Sequence, residues 1–337
     1  IYERLGVLLD RGDLDGESRY NDALPGVVEE LRAAGIATRS DGAVVTFTDG
    51  VLSPDGDPVP LIVQKKDGGF GYAATDLATI RLRVDEYRAD RILYVVDSRQ
   101  ALHFRMVFDT ARRAGWLPES VEAVHVPFGT VLGKDGKPFK TRAGDTVRLA
   151  DLLDQAVERA REVLAERASD LDAAELEAIA HAAGIGAVKY ADLSTTRTKD
   201  YVFDVDQMVA FHGNTGVYLQ YAHARIRSIL RKAASAGAAE VVVHPEVRLE
   251  PAERALALTL DEFEETLRDV AQTLEPHRLC TYLFGLARAY TDFYESCPVL
   301  RAEDPAVRSN RLALCELAER TLATGLELLG IQAPERR

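Results

Sequence analysis

The sequence predicts an α/β fold that gives way to an all-α bundle, and three observations carry that prediction. Up to about residue 150, short β-prone apolar runs alternate with helical stretches. Beyond residue 147 strands almost vanish, and apolar residues recur at spacings of three and four among Ala, Leu, Glu and Arg. Between the two regimes lies GTVLGKDGKPFKTRAG (129–144), which sets Gly129, Gly133, Gly136 and Gly144 among Lys134, Lys137, Lys140 and Arg142.

Length and composition set the outer limits. The 337 residues suffice for two or three domains, and 47% hydrophobic residues can fill sizeable cores. With 54 acidic against 41 basic residues the net charge is −13, which argues against unspecific adhesion to nucleic acid or anionic membranes. A polyanionic partner must therefore be met by local patches. Cys280, Cys297 and Cys315 are odd in number and form no CxxC, so neither a disulfide framework nor a zinc site is indicated, and a reducing cytoplasm fits. No apolar run approaches the roughly 18 residues that span a bilayer. The chain opens on Ile1 within the apolar run IYERLGVLL, so it is expected to be cut from something longer.

From residue 1 to about 90 the pattern mixes helix and strand. Pro25 at a first helical position and Gly35 beyond the end bracket a helix, PGVVEELRAAG. Residues 43–47, 60–64 and 70–73 are short β-prone runs, the last two flanking Asp67-Gly68-Gly69 as a hairpin would. Thr75 and Asp76 are then expected to cap the helix DLATIRLRVDEYRA. Residues 92–96 and 123–128 are continuous apolar runs suited to parallel strands buried on both faces. Between them, Asp97-Ser98 opens the helix RQALHFRMVFDTARR, closed by Gly115. Ligands of open α/β sheets bind outside the carboxyl ends of strands, so residues 97–100 and the loop 129–144 are expected at one crevice.

Four cations on a glycine-rich loop after a strand suit a polyphosphate, whose oxygens gain charge during group transfer. The same residues also suit a solvated surface hairpin, because Asp135-Gly136 is a strong turn signal. The remainder reads as helices over 148–168, 173–183, 185–193, 215–236, 253–273, 276–296 and 309–330. In the helix from 215, Tyr218, Tyr221 and Arg225 share one face with Arg227 nearby, a combination that can stack on RNA bases or simply form core. Leu279, Tyr282, Leu283, Leu286, Tyr290 and Phe293 form a core stripe.

Six runs in order resemble the C-terminal portion of arginyl-tRNA synthetases: VQKKDGGFGYAATDLATIRLR, ILYVVDSRQALHF, FGTVLGKDGKPFKTRAGDTVRLADLL, IGAVKYADLS, FHGNTGVYLQYAHARI and FYESCPVL. The resemblance implies the second part of a class I Rossmann catalytic domain with an α+β insertion, followed by an α-helical anticodon-binding bundle. It implies a catalytic region over 1–150, a helical connection over 151–205 and an anticodon-binding domain over 206–337. Tyr72, Asp76 and Gln100 match the residues that bind substrate L-arginine. KPFKT (137–141) stands where class I synthetases carry KMSKS, departing from it at the second, third and last positions. Lys140, with Lys137, is then the catalytic cation for the pyrophosphate leaving group, and Gly129, Lys137 and Lys140 contact ATP. Tyr218, Tyr221, Arg225 and Arg227 become tRNA-contact residues.

The resemblance further implies ATP with Mg2+, tRNA-Arg and L-arginine as partners of a cytoplasmic monomer, without membrane or DNA. The HIGH signature that grips ATP in this family does not occur in the 337 residues, so the chain by itself is expected to be inactive. The competing reading is a stand-alone tRNA-binding or regulatory module. A weaker one is an unrelated nucleotidyl transferase with a lysine-rich phosphate loop.

Overall fold

The computed structural model describes residues 1–137, 148–166, 172–236 and 241–335. Its contacts divide the chain into two compact units, Leu9–Gly129 and Ile1–Leu8 with Thr130–Arg337.

The first unit opens with α1 (Leu24–Ala33), which has Pro25 in its first turn and buries Leu24, Val27, Val28 and Leu31 along one face. Gly35 follows at φ +69°, the left-handed conformation that ends helices. An antiparallel sheet comes next, in the order β1 (Ala37–Ser40), β2 (Ala43–Leu52), β3 (Pro58–Gln64). Residues 70–73, expected as a further strand, form only a single bridge between Gln64 and Phe70. The chain turns instead into α2 (Tyr72–Asp85), with extended Gly71 as its N-cap. Thr75 and Asp76 therefore do not cap this helix, because they lie inside it. Thr75 Oγ1 donates back to the Tyr72 carbonyl at 3.0 Å, and the Asp76 carboxylate is left free to face another element.

β4 (Arg91–Asp97) and β5 (Glu122–Phe128) pair in parallel through α3 (Ala101–Arg113), as the apolar runs predict. The register matches Asp97 with Phe128, so both strands end at one edge. Ile92 and Tyr94 turn into a core with Ile80, Phe104 and Val107. Burial on both faces is not what the described residues show: Leu93 is 43% and Val95 61% exposed. The reason is geometric. Successive side chains of a strand point to opposite faces, and α2 and α3 supply the core on one of them.

In the second unit, β6 (Val131–Leu132) pairs in parallel with β7 (Tyr201–Val202), the only strands among its described residues. The rest is helical: α4 (Leu149–Ala165), α5 (Ala173–Ser194), α6 (Val205–Met208), α7 (Gly216–Ser235), α8 (Pro251–Asp261), α9 (Phe263–Thr273), α10 (His277–Ser296) and α11 (Pro305–Leu328). The helices expected over 173–183 and 185–193 are one. Gly184 does not break α5, because it marks where α4 crosses; a Cβ there would lie 2.5 Å from the Val157 Cα. The helix expected over 253–273 is instead two, meeting at Glu262. The stripe on α10 is core as expected, with Leu283, Leu286 and Phe293 fully buried. Lys189 on α5 donates to the carbonyls of Leu5 and Gly330.

Glu253 and Arg311 form a buried ion pair at 2.5 Å, their side chains 4% and 10% exposed. Arg311 also donates to the Pro298 carbonyl at 2.9 Å, and Glu253 Oε2 accepts from the Glu250 backbone at 2.7 Å. Removing one partner leaves the other charge buried and unanswered, at a cost of about 3–5 kcal/mol. Glu253→Gln should therefore shift the urea midpoint strongly. Arg268→Ala, in the exposed pair Arg268–Glu264, should leave it in place. Equal midpoints for the two variants would contradict this assignment.

The three cysteines are all free and buried. Burial pushes the Cys280 and Cys315 thiols up to about 12 and raises Cys297 as well. Thiolate is the reactive form, so a disulfide reagent at pH 8 should label none of them before unfolding and all three after it. Rapid labelling of the native chain would contradict this.

Candidate active site

At the carboxyl edge of β4, Asp97 closes a tight turn. Its Oδ1 accepts from the Arg99 backbone N–H at 2.8 Å and from Arg99 Nε at 2.9 Å, while Oδ2 accepts from the same guanidinium at 2.9 Å. These hydrogen bonds from the Arg99 side chain and backbone hold the Asp97 carboxyl at about 2. The turn sets Gln100, exposed, at the N-cap of α3. One turn further on, His103 reaches across to α2, where its Nε2–H donates to Asp76 Oδ2 at 2.6 Å. Tyr72 lies one turn before Asp76 and is 73% exposed. This contact therefore ties the first two turns of α2, carrying Tyr72 and Asp76, to the first turn of α3, carrying Gln100 and His103. Asp76 is a carboxylate held at the mouth of an α/β edge, where it can answer a cation. His103 was not among the residues expected at the site; its place three residues after Gln100 was the available signal.

The glycine- and lysine-rich loop is described as far as Lys137. Gly133 N–H donates to the Lys137 carbonyl at 2.8 Å, Lys137 N–H donates to Asp135 Oδ1 at 3.1 Å, and Gly136 takes φ +71°. The Asp135-Gly136 turn is thus present. Asp200 Oδ1 accepts from the Thr130 N–H at 2.7 Å, and Lys134 Nζ lies 3.1 Å from Asp204 Oδ2. Burial works against ionisation of Asp204, yet Lys134 and the backbone N–H groups of Gln207 and Asp206 outweigh it and lower its carboxyl. Lys134 is accordingly engaged by an acid, and both it and Lys137 are exposed. Lys140, Thr141, Arg142 and Gly144 lie outside the described residues, so the structure does not reach the expected crevice with residues 97–100. Gly129 follows directly on β5.

On α7 the four residues expected to contact RNA are half-buried and have protein partners. Tyr218 meets Phe284 edge-on at 5.7 Å, Tyr221 meets Phe211 at 5.9 Å, and the Arg225 guanidinium lies 4.3 Å over the Tyr294 ring. Arg227 pairs with Glu335 at 2.9 Å and Glu319 at 3.8 Å. No described helix is long and apolar enough to cross a membrane. Among the described residues no three His, Cys, Asp or Glu converge as a metal site.

The family model for the catalytic domain of class I tRNA synthetases (R) matches residues 1–205, and the model for the DALR anticodon binding domain matches residues 219–336. The chain belongs to the arginyl-tRNA synthetases. The arginine–tRNA ligase of Frankia casuarinae is 65% identical over 336 residues, covering 100% of this chain and 56% of that protein. The one from Escherichia coli is 51% identical over 335 residues, covering 99% and 58%. The chain thus spans little more than half the length of these arginine–tRNA ligases, and it corresponds to the C-terminal portion of arginyl-tRNA synthetases. Among solved structures, Thermus thermophilus arginyl-tRNA synthetase superposes with a TM-score of 0.85 at 28% identity, covering 99% of this chain and 61% of that one. The Plasmodium falciparum arginyl-tRNA synthetase gives 0.83 at 28%, covering 100% and 56%. A catalytic domain followed by a helical anticodon-binding domain is the fold the sequence predicts. These matches favour an arginyl-tRNA synthetase portion over a stand-alone binding module.

Proposed function

We propose that the complete protein carrying this chain is an arginine–tRNA ligase, which forms arginyl-adenylate from ATP and L-arginine and passes arginine to tRNA-Arg. The observation that supports this reading most is the Asp76 carboxylate, held between α2 and α3 at the strand edge with Tyr72 and Gln100 on the flanking turns. A guanidinium carries a fixed charge and five N–H donors. One oriented carboxylate with an aromatic and an amide beside it selects that group over the ammonium of lysine.

With the guanidinium held at Asp76, the substrate carboxylate attacks the α-phosphorus of ATP and pyrophosphate departs. Negative charge then grows on the leaving oxygens, and Lys140, with Lys137, answers it there, while Gly129 leaves room for the nucleotide to approach backbone. Mg2+ would be carried in on the ATP phosphates and would neutralise part of their charge. Tyr218, Tyr221, Arg225 and Arg227 on α7 meet tRNA through their exposed edges. The anticodon-binding domain begins near residue 206, after a catalytic part to about 150 and a helical connection. The protein acts as a cytoplasmic monomer, without membrane or DNA partners.

Exchange of labelled pyrophosphate into ATP tests the division of labour. The chain by itself should show no arginine-dependent exchange, and the complete protein should show it. Exchange by the isolated chain at the rate of the complete protein would overturn the proposal that another part supplies the ATP grip.

A further inference from the structure

We infer that His103 is a positioning residue for the arginine site, fixing the Asp76 carboxylate so that one oxygen stays directed at the guanidinium. The inference rests on the reading of Asp76 as the arginine-binding carboxylate. Asp76 stands in the second turn of α2, where helical bonding already satisfies the local backbone and offers no N–H to steady a carboxylate. The neighbouring hydroxyls turn back on the helix: Thr75 Oγ1 donates to the Tyr72 carbonyl, and Thr79 Oγ1 to the carbonyls of Thr75 and Asp76 at 3.0 and 2.8 Å. The support comes instead from α3, through the 2.6 Å bond from His103 Nε2–H to Oδ2.

The imidazole is itself braced. It meets Phe104 edge-on, with centroids 5.2 Å apart and planes at 84°. Phe104 packs in turn on Tyr94 at 4.7 Å and stacks on His125 at 5.5 Å. The two partners are only 25% and 26% exposed, so water competes less for the bond than it would on an open surface. With Oδ2 occupied by a ring donor, Oδ1 remains as the acceptor for a guanidinium N–H. A carboxylate oriented in this way presents its remaining oxygen to the substrate's positive charge.

The test compares His103→Leu, His103→Gln and Asp76→Asn in the complete ligase, measuring KM for arginine, KM for ATP, kcat and the melting temperature. Losing a hydrogen bond to a charged group should raise the arginine KM of His103→Leu about 10- to 100-fold, with the ATP KM unchanged. His103→Gln keeps an N–H donor of similar reach and should recover most of that loss. If Asp76→Asn raises the arginine KM while His103→Leu does not, the positioning role is wrong and the reading of Asp76 stands. If Asp76→Asn itself leaves the arginine KM unchanged, the underlying reading fails first. Equal losses for the leucine and glutamine variants, with lowered melting temperatures, would make His103 a packing residue only and overturn the inference.

Discussion

Asp76→Asn in the complete protein should raise the arginine KM by two orders of magnitude or more while leaving the ATP KM nearly unchanged. In the proposed site the carboxylate answers the guanidinium, and an unpaired, partly desolvated charge costs several kcal/mol. The contact with His103 deepens the effect. An amide accepting from His103 Nε2–H must turn its oxygen toward the ring, which directs its own NH2 at the N–H donors of the substrate. Asparagine therefore replaces an attraction with two opposed donors. Asp76 is not a helix cap, so the substitution should have little effect on melting. A variant altered only in thermal stability would show that the carboxylate serves the fold and not the substrate.

Lys140→Ala should lower the rate of adenylate formation by roughly 10² to 10³, the loss expected for one well-placed donor to a developing oxyanion. Arginine binding should hardly weaken, because interactions stronger in the transition state act on turnover. Lys134 provides the internal control. Its ammonium lies 3.1 Å from Asp204, so it is paired within the protein although its side chain is 65% exposed. Lys134→Ala should cost much less than Lys140→Ala, measured by single-turnover kinetics at saturating ATP and arginine. Equal losses would mean a diffuse electrostatic loop, and no loss at Lys140 would place the catalytic cation elsewhere.

What was legible in the sequence followed periodicity. The parallel pair β4–β5, the connecting α3 and the α10 core stripe were all written in apolar spacing, because burial selects residue type directly. The errors came where one residue admits two local meanings. Gly184 reads as a helix break, but it is a crossing point, and the sequence alone does not show the second helix that needs the space. Thr75 and Asp76 read as a cap, yet extended Gly71 starts the helix four residues earlier, leaving no side-chain signature. For the site, the residues proposed to contact arginine came through resemblance to a family. The bond from His103 to Asp76 was not legible, because it joins positions 27 residues apart on two helices.

The central claim is that this chain belongs to a ligase whose amino acid is selected as a guanidinium at Asp76. The most direct measurement is aminoacylation of total tRNA by the complete protein, supplied with each labelled amino acid in turn, for the parent and for Asp76→Asn. The parent should charge arginine alone, onto tRNAs with arginine anticodons, and Asp76→Asn should restore that charging only at greatly raised arginine. Charging of a different amino acid by the parent, or undiminished charging by Asp76→Asn at low arginine, would contradict the account.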